Sequence, residues 1–304
     1  MSTLASYAGG LSVDVFEHTP MKEHTTFRIG GEADALFNAH DSASFAALVT
    51  RLHADGIPCQ LIGAGSNLLV ADEGLRGAVI RFDPHKAVIE QPDETILRCD
   101  AGVMLARLSR VAQQRGLTGL EFACGIPGSV GGAVYMNAGA YGGEMVQILQ
   151  SADVLLPTGE CVTMSAEDLN LSYRHSSLME NGGIVLSTTI KLECGDKDVI
   201  HNTMAELLTA RREKQPLEFP SAGSFFKRPT GYFAGKLIDD CGLRGYRVGD
   251  AQVSEKHAGF VINRGDATCE QIKQLEKDVR TRVYETFGVT MSPEVRLLGT
   301  TWFE

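Results

Sequence analysis

The sequence predicts an α+β protein built from two or three packed subdomains. Helical apolar stripes alternate with short apolar runs separated by glycine, the pattern of helices and strands interleaved along one chain. Residues 121–145 carry seven glycines between Gly125 and Gly143, too many for an ordinary core segment. Pro216 and Pro220 then mark a boundary ahead of a differently patterned C-terminal third. With 304 residues and 43% hydrophobic composition, the chain exceeds the usual single core and can bury its subdomains without covalent staples.

Residues 42–55 set Phe45, Leu48, Val49 and Leu52 at i, i+3, i+4 and i+7, after a cap at Asp41 or Ser42 and before Gly56 and Pro58, which predicts a helix. Leu61-Ile62, Leu68–Val70 and Ala78–Ile80 are apolar runs between glycine turns and predict three strands. Met104, Leu105, Leu108, Val111 and Ala112 form a second helical stripe, closed by Arg115 and Gly116. After the glycine tract, 151–164 reads as a hairpin and the β-branched run 182–194 as a strand. Val199 to Arg212 is a helix with Met204, Leu207 and Leu208 turned inward, and it runs into the proline break. Beyond it, Phe233, Leu237, Ile238 and Cys241 predict a short helix ended by Gly242. Thr268 and Gln271 form a capping box for a long helix through Ile272, Leu275, Val279 and Val283.

A formal net charge of −10 and a pI near 5.3 argue against a nucleic-acid partner, although basic residues can still gather in one anion-binding cleft. The N-terminus lacks the basic start and apolar stretch of a secretory signal, and no segment reaches membrane-spanning length, so a cytoplasmic location is expected. Seven cysteines stand singly, with no CxxC pair and no histidine cluster at ligand spacing. Reduced, mostly buried thiols and no metal site are the expectation.

The candidate chemistry begins at Gly63, Ala64, Gly65, Ser66, Asn67 and Leu68, a glycine loop after a predicted strand whose successive N–H groups can cradle a diphosphate. It is half of a dinucleotide fingerprint: Leu68 replaces the final glycine, and a strand rather than a helix follows. An ordinary tight turn is the other reading of this loop. Paired with the second glycine tract it suggests one flavin dinucleotide held between two loops. Glycines at sharp corners of a compact β layer remain the alternative. Tyr173 and Arg174 put a fixed cation beside an aromatic ring and small hydroxyl residues, a pairing suited to a carboxylate. Residues 220–229 join a small-residue turn, Ser224, two aromatics and two cations into a candidate substrate loop, with no GxSxG context to make Ser224 a nucleophile. Glu294 opens a predicted terminal strand, and its carboxylate gains meaning only if the fold brings it to a cation.

Taken in order, TTFRIGGEAD (25–34), IGAGSNLLVADEGLRG (62–77), FACGIPGSVGGAVYMNAGAYGGEM (122–145), YRHSSL (173–178), GSFFKRP (223–229), AGKLIDDCGLRG (234–245) and EVRLLG (294–299) closely resemble the UDP-N-acetylenolpyruvoylglucosamine reductase (MurB) family. The resemblance implies an FAD-binding fold of the PCMH type shared with vanillyl-alcohol oxidase-like (VAO) proteins, with two subdomains around FAD and a third α+β domain for substrate. The implied division is an N-terminal extension over 1–20, an FAD-binding region over 21–200 in two parts (21–82 and 83–200), a substrate domain over 201–290, and a final strand over 291–304 returning to the first subdomain.

It also implies tightly bound, non-covalent FAD, NADPH as co-substrate, and reduction of UDP-N-acetylglucosamine enolpyruvate to UDP-N-acetylmuramate for peptidoglycan and cell-wall synthesis. The family's active-site positions fall on Arg174, Ser224 and Glu294. FAD contacts fall on 63–68 and on Gly125, Gly128, Ser129, Gly131, Gly132, Asn137, Gly139, Ala140 and Tyr141. Substrate contacts fall on Tyr173, Arg174, Lys214, Arg228 and His257. The 50 positions from Arg174 to Ser224 (224 − 174) are already filled by a strand and a helix, so the chain resembles the branch without an inserted tyrosine loop. A monomer acting on a small-molecule substrate is expected.

The implied chemistry delivers hydride to the enol-ether methylene. Arg174 and a protonated Glu294 stabilise the charge driven into the carboxylate. Ser224 then protonates the adjacent carbon, helped by Lys227 or Lys236 because a lone serine hydroxyl is a poor acid. A flavin oxidase of the same broad fold and a catalytically silent UDP-sugar-binding module are the competing readings.

Overall fold

The computed structural model describes residues 4–303. Residues 1–3 of the expected N-terminal extension and residue 304 of the expected final strand lie outside the described residues. The helices are α1 Ser42–Ala54, α2 Leu105–Arg115, α3 Val130–Tyr135, α4 Leu178–Asn181, α5 Lys197–Lys214, α6 Ala234–Asp240 and α7 Cys269–Phe287. The chain divides into two units. One holds residues 1–17, 35–64 and 77–211, and the other holds 18–34, 65–76 and 212–304.

The first unit is organised by a five-stranded antiparallel sheet in the order Cys161–Ser165, Leu149–Leu155, Ile184–Lys191, Ile96–Asp100, Ile89–Asp93. Alternation of more and less buried residues along Ile96–Asp100 and Leu149–Leu155 gives a face that packs Leu97, Cys99, Ala152 and Val154, with Ile190, against Leu105, Leu108 and Ala112 of α2 and Val130 and Val134 of α3. A second sheet runs in the order Val13–Pro20, Glu32–Ala39, Leu75–Phe82, Cys59–Leu61. It belongs to this unit through residues 13–17, 35–39, 77–82 and 59–61. Its core closes on α1 through Phe45, Leu48, Val49 and Leu52, the predicted stripe. Asp41 is the cap, accepting from the Ser44 N–H at 2.7 Å. Residues 4–17, expected as an extension, supply a 3-10 turn and the start of that sheet's edge strand. Arg51 of α1 holds the turn by donating to the Tyr7 and Gly9 carbonyls.

The second unit contains an antiparallel sheet in the order Ser221–Ser224, Phe260–Asn263, Ala251–Val253, Arg247–Val248, covered by α6 and α7. The strand Arg296–Leu298 pairs in parallel with Leu68–Val70. The capping box of α7 forms as the sequence predicts, Thr268 accepting from the Gln271 N–H and Gln271 returning the contact. Asp72 adds a second cap from far away in sequence, accepting from the Cys269 and Glu270 N–H groups at 2.8 and 3.2 Å.

Several expectations are corrected. Met104 caps α2 instead of joining its stripe, and Val111 is only half-buried. In α5 only Ile200 is buried; Met204 and Leu207 are half-buried and Leu208 is exposed, the helix meeting Ser109 and Cys124 at Met204. Phe233 caps α6 and lies exposed under the Arg228 guanidinium, 4.3 Å away. The thiols are not mostly buried: Cys99, Cys124 and Cys269 are, Cys59 and Cys241 are half-buried, and Cys161 and Cys194 are exposed. Burial pushes the Cys99 and Cys269 thiols up to about 12, so both are inert at neutral pH. Among the described residues, no helix is long and apolar enough to cross a membrane.

Glu276 in α7 is fully buried, and among the described residues neither carboxylate oxygen has a hydrogen-bond partner. The Arg280 guanidinium stands 3.6 Å away and also holds the Phe303 carbonyl. Burial raises this carboxyl above its ordinary 4.5, with Arg280 opposing. A raised folded-state value gives stability that is complete below the unfolded value and is lost as pH rises through the folded one. Glu276→Gln should therefore melt higher than the parent at pH 8, with the difference shrinking to nothing near pH 4. A pH-independent difference in melting temperature would contradict this assignment.

Candidate active site

In the second unit, three distant stretches meet at Glu294. Its N–H donates to the carbonyl of Phe225, the neighbour of Ser224, at 2.8 Å, and Phe226 and Pro293 form an antiparallel bridge. Its carbonyl accepts from Asn67 Nδ2 at 3.1 Å, and the Asn67 carbonyl accepts from the Arg296 N–H at 2.9 Å. The expected serine, the glutamate and the part of the first glycine loop from Gly65 to Leu68 are thus assembled by hydrogen bonds within one unit.

Thr26 completes the assembly. Its N–H donates to the Gly65 carbonyl at 3.1 Å and its hydroxyl to the Ser221 carbonyl at 2.7 Å, tying the loop to the serine strand. Register slips between Ser221 and Ser224, where Gly223 takes φ +80°, and such bulges re-aim the residue that follows. Ser224 stands exposed while Phe225 and Phe226 turn into the core. Lys227 is exposed; Asp240 pairs with the Lys236 ammonium and raises its pKa, chiefly through their hydrogen bond.

The first unit contains the other expected pieces. Arg174 lies at φ +54° in the turn Ser172–His175, with its guanidinium 5.4 Å from the exposed Tyr173 ring. Gly63 meets the second tract directly, since a Cβ there would lie 2.4 Å from Ser129 Oγ. The two glycine segments therefore converge, as the sequence suggests.

Much of the glycine in the second tract answers to the protein's own packing. A Cβ on Gly131 would meet that of Ala101 at 2.8 Å, one on Gly143 would meet the Phe122 ring at 2.6 Å, and one on Gly139 would meet the Gly143 carbonyl at 2.7 Å. The leading amides of α3 are also engaged: Val130 and Gly131 donate to the Val103 and Ala101 carbonyls, and Gly132 donates to Ser129 Oγ. Asn137 uses its carboxamide within the protein, on Glu144, Ser172 and Val146. Ala140 and Tyr141 fall in a small hairpin with Tyr141 exposed at φ +54°.

The amides of residues 63–67 differ. Among the described residues none of them has an acceptor, although Gly65 is buried at φ +68°. A run of undersatisfied N–H groups in a tight turn is a donor set for a diphosphate, so this loop fits a dinucleotide better than the N-terminus of α3 does.

The remaining candidates lie in the second unit. Lys214 is exposed at the end of α5, and Arg228 is exposed over Phe233. His257 is half-buried, its Nδ1 accepting from the Gly259 N–H, and burial, with a smaller contribution from the charge of Arg244, lowers its pKa. Sequence reasoning missed Thr26, Asn67 as a clamp on Glu294, and Asp72. Their partners lie 195, 227 and 197 positions away, beyond any local pattern.

Residues 33–165 match the family described as FAD binding domain, and residues 215–298 match UDP-N-acetylenolpyruvoylglucosamine reductase, C-terminal domain. A UDP-N-acetylenolpyruvoylglucosamine reductase of Agathobacter rectalis is 51% identical over 296 residues, 94% of each chain. One from Streptococcus pneumoniae is 47% identical over 287 residues, 94% of this chain and 95% of that one. The crystal structure of the UDP-N-acetylenolpyruvylglucosamine reductase (MurB) from Thermus caldophilus is 36% identical and superposes with a TM-score of 0.78 over 94% of this chain and 98% of its own.

Two glycines separate close packing from open turns. A Cβ on Gly65 would fall 2.1 Å from the His24 carbonyl oxygen, whereas Gly142, at φ +87°, has nothing within 4 Å. Gly142→Ala should cost about 1–2 kcal/mol of backbone strain, and Gly65→Ala clearly more, read as urea midpoints. Equal losses would mean that the loop is not clamped by residues 24–26.

Proposed function

The chain belongs to the UDP-N-acetylenolpyruvoylglucosamine reductase family, and we propose that it reduces UDP-N-acetylglucosamine enolpyruvate to UDP-N-acetylmuramate through FAD, with NADPH as reductant. The observation that carries this reading is the junction at Glu294, where hydrogen bonds to its backbone join the family's glutamate position to the segment after the serine position and to Asn67 of the loop with unsatisfied amides.

FAD, when bound, supplies the hydride. The amides of Gly63 to Asn67 and the hydroxyl of Ser66 are its proposed diphosphate donors, with Leu68 closing the loop. Gly125, Gly128, Ser129, Gly131, Gly132 and the backbone from Asn137 to Tyr141 would line the rest of its site. The Arg174 guanidinium and the protonated Glu294 carboxyl then hold the substrate carboxylate and stabilise the charge that develops there. Ser224 delivers the proton to the adjacent carbon. Because Asp240 holds Lys236 as a fixed cation, Lys227 is the better candidate to assist Ser224. Tyr173, Lys214, Arg228 and His257 complete the proposed substrate contacts.

The proposal keeps the division into an FAD-binding region over 21–200 and a substrate domain over 201–290, and it places a monomer in the cytoplasm, serving the cell wall and through it cell shape and division. The two family matches, 33–165 and 215–298, support that division.

Rapid mixing tests the roles. Ser224→Ala should leave reduction of the bound flavin by NADPH nearly intact while slowing reoxidation by the enolpyruvyl nucleotide about 10²–10⁴-fold, the scale of a general acid. Glu294→Gln should show the same selectivity. Parallel loss of both half-reactions, or loss of flavin, would refute these assignments.

A further inference from the structure

Arg174 sits at the tip of a tight turn and in a backbone region that side chains other than glycine rarely enter, φ +54°. Such a conformation persists only where the surroundings hold it. The turn closes on itself through reciprocal bonds, Ser172 N–H to the His175 carbonyl and His175 N–H to the Ser172 carbonyl, both 3.1 Å. Reciprocal bonds fix the shape of the turn. They do not fix where it points.

Two side chains do that, and both are buried. Asn137, 1% exposed, donates from Nδ2 to the Ser172 carbonyl at 3.1 Å, so it grips the first residue of the turn. Ser176, fully buried, donates from its hydroxyl to the Tyr135 carbonyl at 2.7 Å, so it grips the residue just past the turn. Both contacts join the turn to one short stretch, Tyr135 to Asn137, at the C-terminal end of α3. Asn137 is itself held from the other side: Nδ2 also donates to Glu144 at 2.7 Å, and Oδ1 accepts from the Val146 N–H at 3.0 Å. All of its hydrogen-bonding capacity except one oxygen lone pair is used. Its own φ of +41° is one that asparagine tolerates better than most residues.

We infer that Asn137 and Ser176 are positioning residues that aim Arg174 by anchoring both sides of its turn to the end of the glycine tract. The inference rests on the proposed reaction, in which Arg174 meets the substrate carboxylate. It adds that the segment expected to line the flavin also sets the direction of the substrate arginine.

The experiment uses FAD-loaded wild-type protein, Ser176→Ala, Asn137→Gly, Arg174→Ala and the Arg174→Ala/Ser176→Ala double variant. Ser176→Ala removes one donor without adding bulk, and Asn137→Gly leaves a residue at ease with φ +41°, so the two report independently if one folds poorly. Ser176→Ala and Asn137→Gly should each slow reoxidation by the enolpyruvyl nucleotide about 10–10²-fold, the scale of an ångström-level misplacement, and Arg174→Ala at least as much. In Ser176→Ala, which lies outside the proposed flavin site, flavin content and the rate of reduction by NADPH should stay within about twofold of the parent. In the Arg174→Ala background, Ser176→Ala should slow reoxidation no further, since a residue that acts through another has nothing left to act on. Independent, multiplicative slowing in that background, or equal slowing of both half-reactions, would overturn the inference. Wild-type protein that the nucleotide does not reoxidise would overturn the proposed reaction itself, before any variant is compared.

Discussion

The backbone of Glu294 is the constraint from which the rest of the candidate site follows. Its N–H is fixed on the Phe225 carbonyl and its carbonyl on the Asn67 side chain, so one residue is gripped from both directions by segments far apart in sequence. The strand after it continues the same attachment, pairing Arg296–Leu298 with Leu68–Val70. Moving Glu294 therefore means moving the serine strand, the glycine loop or both. A carboxyl carried on a backbone held in this way has less freedom to lose when substrate arrives, which is how preorganised groups stabilise developing charge. Thr26 extends the same logic, binding the glycine loop to the serine strand at a second point.

The glycines divide into two kinds that composition alone cannot separate. Gly131, Gly139 and Gly143 let the protein pack against itself, and the amides that open α3 are occupied by residues 101–103. The loop 63–67 keeps its amides unmatched among the described residues, that of buried Gly65 included, and unmatched buried donors are uncommon in folded chains. That contrast points the diphosphate to the first loop and leaves the second tract to shape the surroundings. Ser129 belongs to both, since it caps α3 and touches Gly63.

What the sequence made legible was what is local. The α1 stripe with its Asp41 cap, the Gly116 stop of α2 and the Thr268–Gln271 box of α7 each depend on residues within a turn or two of each other, and all form. The family motifs carried the positions of Arg174, Ser224 and Glu294, and no local pattern could have assigned them chemistry. The missed features are of two sorts. Asp72, Asn67 and Thr26 act across roughly two hundred positions, where periodicity says nothing. Leu208, Cys161 and Cys194 were misjudged because hydrophobic residue type says what can be buried, not how wide the face is that receives it.

The account's central claim is that this chain holds FAD as an electron carrier between NADPH and an enolpyruvyl nucleotide. Anaerobic absorbance of the purified protein tests it most directly. The expected result is a yellow protein that NADPH bleaches and that one equivalent of UDP-N-acetylglucosamine enolpyruvate restores to full colour. A colourless protein, or a bleached one that the nucleotide leaves reduced while oxygen restores it, would contradict the account.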